Sequence, residues 1–331
     1  MHPYEVLLFS LLATPSSAHG VVTLIRGANG VEMPGLSVAD GTPRDCSTNR
    51  CGSQADTAII RDREIRSGTV GPLGRTQGNG PIDAATMISA FMGTGDAALP
   101  RVNAANASVG VEDDLSGLTQ GSSGSGSGSS GTSRGGRRFG QGGRNNNNKK
   151  RREEEAWQGG KAVKVARQFF QGLFGGGGTD STVATESNVA AMAGTGASSG
   201  LPTCGDDGSI EMVFHQINQD GAGPLQAAID GTSGGTDPDA FQTAQVTQDV
   251  PGFAGGLSLA TSRDFPLTVQ MPAGMTCDAT VAGVDNVCIV RVRNGAAAGP
   301  FGGSAAFTQS PAARKRAIEY RLKKRAQAFK A

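Results

Sequence analysis

Between residues 116 and 199 the chain stops reading like a folded protein. The stretch includes GSSGSGSGSSGTSRGGRRFGQGGRNNNNKKRREEE, which offers almost nothing apolar to bury. Such a segment cannot offset the entropy of ordering its backbone, so disorder is the expectation for it. Any core must then be assembled across a gap, from residues 19–115 and 200–310. Fifty-one glycines in 331 residues reduce the folded mass further. Inside the insert, Lys161 to Phe174 (KAVKVARQFFQGLF) sets Val165, Phe169 and Leu173 apart from Lys161, Lys164, Arg167 and Gln171, which predicts a short basic amphipathic helix.

The flanking regions carry strand patterns. Ser209 to Asn218 (SIEMVFHQIN) alternates Ile210, Met212, Phe214 and Gln216 against Glu211, Val213, His215 and Ile217. Phe265 to Met271 (FPLTVQM) puts Phe265, Leu267, Val269 and Met271 on one face, and Val287 to Arg293 (VCIVRVR) is rich in β-branched residues. Turn signals DGAGP, PAG and GVDN separate these runs. The pattern predicts an all-β protein, an antiparallel β-sandwich of immunoglobulin-like or monooxygenase-like kind. Residues 19–115 would form its first part and 200–310 its second. Residues 311–331 (PAARKRAIEYRLKKRAQAFKA) follow as a basic C-terminal helix or tail, with Ser310 as N-cap and Pro311 at the first helical position. Its apolar stripe of Ile318, Leu322 and Phe329 is narrow.

Residues 1–18 have the form of a secretory signal. Val6 to Ala13 is a short apolar run, and Ser16-Ser17-Ala18 places small residues ahead of a cut before His19. No apolar stretch approaches the ~20 residues that a membrane-spanning helix needs. Secretion to an extracellular location is therefore the expectation. There, Cys46, Cys51, Cys204, Cys277 and Cys288 allow two disulfides and one further thiol. Cys46/Cys51 and Cys277/Cys288 are close enough to close a loop and a hairpin, although spacing alone leaves the connectivity open. Asn106-Ala107-Ser108 is a glycosylation sequon. The dibasic pairs at 150–151, 315–316 and 324–325 are candidates for processing.

A net charge of +1 gives no global attraction to nucleic acid. RGGRRFGQGGR has the look of an RNA-binding segment, but on a secreted chain it reads as a flexible insert. GGGG at 175–178 lacks the Lys-Ser/Thr of a phosphate loop. The acidic clusters Glu112-Asp113-Asp114, Asp206-Asp207 and Asp237/Asp239 lie in turn-rich sequence and read as solvated loops; a paired-carboxylate glycosidase stays open, because carboxylate separation is a three-dimensional quantity. Cysteine spacing without CxxC, and few histidines, speak against zinc.

The histidines offer one sharper idea. Removal of residues 1–18 takes His2 with it and leaves His19, with a free α-amine, and His215. An amine and two imidazoles are the minimum for a planar copper site, with Phe301 or Phe307 as axial neighbour. Such a site would activate oxygen or peroxide, usually against crystalline polysaccharide. The bland alternative is a junction histidine and a satisfied core histidine.

HQINQDGAGP (215–224), DFPLTVQMPAG (264–274), AGVDNVCIVRVRN (282–294) and AGPFGG (298–303), in that order, resemble the appressorium-specific secreted proteins of pathogenic fungi, the Gas/Mas virulence-factor family. HGVVTLIRGANG (19–30) and GRTQGNGPIDAATMISAFM (74–92) are similar to its N-terminal half. The resemblance implies a secreted virulence-associated protein acting on cell-wall polysaccharide or a host surface component during appressorial penetration, with no established catalysis. Copper-dependent polysaccharide oxidation and a wall-binding adhesive module are the alternatives. The family pattern calls for cysteines where this chain has Leu73, Val292 and Ser304. The last two departures together imply loss of one disulfide as a unit. The His-Gly start is similar to lytic polysaccharide monooxygenases, but their second HxGP histidine would fall at Gly221–Pro224, leaving His215 to take that role.

Overall fold

Period-2 apolar alternation produces long antiparallel strands in the second half of the chain. In the computed structural model, which describes residues 19–48, 50–95, 99–102, 178–181, 183–253 and 255–329, these are β5 (Ser209–Gln216), β6 (Gln226–Asp230), β7 (Phe241–Gln248), β8 (Arg263–Gln270), β9 (Ala279–Val281), β10 (Val284–Arg293) and β11 (Phe301–Thr308). The first half adds β1 (Gly20–Arg26), β2 (Glu32–Pro34), β3 (Ala58–Ile59) and, after the gap, β4 (Thr179–Asp180). The signal segment 1–18, the sequon at Asn106 and the helix expected over 161–174 lie outside the described residues.

The strands form one curled path in the order β2-β1-β5-β8-β7-β6-β10-β11-β3, with β4 beside β8 and β9 beside β10. β7 is the corner of this half-barrel. Its first residues pair with β6 (Ala227↔Ala244 to Asp230↔Phe241), and its last pair with β8 across a register shift after Val246. A bulge at such a corner increases twist and lets one strand serve two sheet halves. The curl brings β11 against β1: a Cβ on Gly303 would lie 2.7 Å from the backbone nitrogen of Val22, so only glycine allows this approach.

The core fills the curl. Val22, Ile25, Met212, Phe214, Leu267 and Val269 from one half meet Ile229, Val290, Val292, Ala305 and Phe307 from the other, all buried. Phe214 and Leu267 thus face as their alternation predicts. Phe307 pairs in register with Cys288 and belongs to this core.

Helices are few. α1 (Asp62–Arg66) and α2 (Ala84–Met92) lie in the first half; Asp83 caps α2 by accepting from Ala85 N at 3.0 Å. α3 (Asn188–Met192) and α4 (Gly196–Ser199) come from residues whose composition groups them with the insert. The C-terminal α5 (Pro311–Ala328) begins with the expected cap, Ser310 Oγ accepting from Ala313 N at 3.2 Å and donating to Asp206 at 2.8 Å. It docks through Ala313 and Ala317, while Ile318, Leu322 and Phe329 are exposed. No described helix is long and apolar enough to cross a membrane.

Disulfides join Cys46 to Cys51 and Cys277 to Cys288, and Cys204 is a buried free thiol. The register corrects the expectation about Val292 and Ser304. Val292 is opposite Gly303, and Ser304 is opposite Arg291, so the two side chains emerge on opposite faces of the β10–β11 ladder. Cysteines there could not pair with each other.

Candidate functional site

β1 and β5 bring the two described histidines into one antiparallel ladder. Val21 is opposite His215, and the Ile217 amide donates to His19 O at 3.0 Å. In the backbone ladder His19 is thus across from Ile217, two positions along the chain from His215. Both histidines are buried.

Each histidine is held by specific neighbours. The His19 backbone N–H donates to Asn218 Oδ1 at 2.6 Å. Its ring lies against Phe301, with centroids 4.3 Å apart and planes tilted by 37°. Phe301 is positioned by Asn294, whose Oδ1 accepts from Phe301 N at 3.0 Å and from Ala296 N at 3.2 Å. The Asn294 amide in turn donates to Asp220 O and Ala222 O, each at 3.3 Å. The segments HQINQDGAGP, AGVDNVCIVRVRN and AGPFGG thus meet around His19. Gly221 is required there, because a Cβ would sit 1.8 Å from His19 O.

His215 Nδ1 lies 2.6 Å from Asp264 Oδ1, its register partner on β8. A carboxylate only accepts, so Nδ1 carries a proton, and in a neutral ring the lone pair would fall on Nε2. That Nε2 is buried and has no hydrogen-bond partner among the described residues. A carboxylate behind one ring nitrogen and an open second nitrogen is the arrangement that orients metal-binding histidines. Among the described residues, no group of three or more His, Cys, Asp and Glu side chains is placed to hold a metal. A metal here would depend on the two imidazoles and an amine at His19.

Phe301 is therefore beside His19, whereas Phe307 is a core residue on β11. Nothing in the local sequence sets Asp264, Asn218 and Asn294 apart. Asp264 and Asn294 each bound a quoted motif, DFPLTVQMPAG and AGVDNVCIVRVRN, and Asn218 lies inside HQINQDGAGP. Only strand register shows that these motifs meet.

Comparison with known proteins gives a consistent answer. The chain is 48% identical over 322 residues to the appressoria-specific virulence factor GAS2 of Pyricularia oryzae, covering 97% of this chain and 93% of that protein. It is 39% identical over 154 residues to the appressoria-specific virulence factor GAS1 of the same organism, covering 45% of this chain and 58% of that one. No solved structure matches. The profile of the Egh16-like virulence factors matches residues 17–302, and the chain belongs to that family.

Proposed function

We propose that this Egh16-like protein is secreted and acts at the cell wall or host surface during appressorial penetration. The observation that carries the extracellular assignment is its pair of disulfides, Cys46–Cys51 and Cys277–Cys288, which persist in oxidising compartments. The names of its relatives supply the appressorial context. Intact mass of the protein from culture filtrate tests the reading. Its expected first residue is His19; retention inside the cell with residues 1–18 attached would overturn it.

A second reading is favoured by the open Nε2 of His215. Once the chain begins at His19, the new α-amine, the His19 ring and His215 Nε2 form a nitrogen set suited to Cu(II), with Asp264 fixing the second ring. Copper so held supplies one-electron chemistry toward oxygen or peroxide. This chain's own part is to exclude water with Phe301 and keep His215 in one tautomer. Copper titration of the secreted protein checks it. Wild type should bind one equivalent, His215→Ala should bind much more weakly, and Asp264→Asn should fall about tenfold or more. Equal, weak binding by wild type and His215→Ala sinks this second reading.

A further inference from the structure

The outer face of β6, β7 and β10 carries an open groove of about 620 Å³, a size at which small-molecule and sugar sites are found. Register builds its floor. Arg291 is beside Ala228, which is beside Thr243; one rung away, Arg293 is beside Gln226, and on the other side Asp230 is beside Phe241. The small Ala228 between Arg291 and Thr243 leaves the hollow.

The two arginines have different surroundings. Arg293 is neutralised by Asp62 on α1, at 2.5 Å. Arg291 is half-buried, packs 4.4 Å above the Phe241 ring and donates to Pro72 O at 2.6 Å. Among the described residues it has no ion pair, so most of its five donors are without a fixed acceptor. Burial, followed by the repulsion of Arg293, lowers its pKa to about 10, and Asp62 only partly opposes this. An uncompensated, partly desolvated cation weakens the empty protein and rewards the arrival of an anion.

We propose that this groove binds a carboxylated saccharide, with the Arg291 guanidinium taking one uronate carboxylate. Phe241 and the Pro72 carbonyl position the guanidinium plane, whose fork matches a carboxylate in two parallel hydrogen bonds. The Gln226 amide and Thr243 hydroxyl, both exposed on the floor, suit sugar hydroxyls. Asp249 lines the same groove and accepts from Leu225 N and Val250 N. Its charge disfavours densely anionic ligands such as polyphosphate and favours a polymer with its charges spaced one per sugar. This assignment rests on action at the cell wall and makes the polymer bound there an acidic one. It is separable from secretion and copper, which are read by mass and metal titration.

The test is calorimetric and NMR titration of the secreted protein with trigalacturonate, a neutral trisaccharide and inorganic sulfate. Trigalacturonate should bind and perturb β6, β7 and β10 amides, while the neutral sugar and sulfate should not compete. Arg291→Gln should lose about tenfold or more in affinity, as expected for a charge-assisted pair. Thr243→Trp fills the groove from an exposed position and should abolish binding even if the Arg291 variant fails to fold. No binding by the wild type, undiminished binding by both variants, or sulfate binding as tight as trigalacturonate would each overturn the proposal. So would loss of binding in a Lys323→Ala/Lys324→Ala variant of α5 instead, because the polymer would then lie on the helix.

Discussion

Arg44 is the most consequential buried charge among the described residues. Its guanidinium meets Asp56 at 2.5 and 3.0 Å and Glu186 at 3.0 Å, and all three side chains are almost wholly removed from solvent. Burial alone would lower the Arg44 pKa; the charges and hydrogen bonds of Asp56 and Glu186 outweigh it and raise it. The triad crosses the insert, tying residues 44 and 56 to residue 186. Arg44→Ala leaves two carboxylates buried without a cation and should cost about 3–5 kcal/mol in denaturant unfolding. Breaking the exposed Arg26–Glu32 pair should cost only about 0.5 kcal/mol. A comparable small loss for Arg44→Ala would mean that water reaches the triad. None of these partners was legible beforehand, because 142 residues, including the low-complexity stretch, separate Arg44 from Glu186. The histidine pair had the same obstacle: the sequence offered His19 and His215, and only the β1–β5 register relates them.

At the level of elements, legibility followed local chemistry. The alternation of β5 and β8, the β-branched run of β10 and the Ser310-Pro311 start of α5 all encode their conformation within a few residues. The short strands β2 and β3 do not, since pairing with β1 and β11 defines them. The turn after β6 shows how one side chain can shape an element. Asp230 accepts from Thr232 N at 2.8 Å, Ser233 N at 2.9 Å, Ser233 Oγ at 2.5 Å and Gly235 N at 2.6 Å. Burial opposes its ionisation, but these donors prevail and hold its carboxyl below the ordinary range. A depressed folded pKa contributes stability that is complete above the unfolded value, about 3.9, and is lost as pH falls through the folded value. Asp230→Asn should therefore lower stability by about 2 kcal/mol near pH 7. In parallel melts the gap between variant and wild type should close below about pH 4. A gap that persists at low pH would assign the loss to packing instead of charge.

For the whole molecule, the question is what keeps a curled sheet closed around a core poor in aromatics. β7 joins the halves by hydrogen bonds, and β11 meets β1 through glycine-dependent backbone approach. β10 runs through both candidate sites: Arg291 and Arg293 face the groove, and Asn294, the next residue, anchors Phe301 against His19. Stability of β10 is then a condition for binding at either candidate site. The Cys277–Cys288 bridge pins this strand to the segment leading into β9, and Arg314 of α5 adds a hydrogen bond to Cys277 O at 2.8 Å. The bridge closes a short loop, for which chain entropy gives about 3 kcal/mol. The Cys277→Ser/Cys288→Ser variant should lose about that amount and melt several degrees lower. If β10 couples the two sites, trigalacturonate and copper binding should weaken together well below the melting temperature. If only the thermal midpoint moves and both affinities hold, the disulfide acts on the unfolded chain and the strand keeps its place without it.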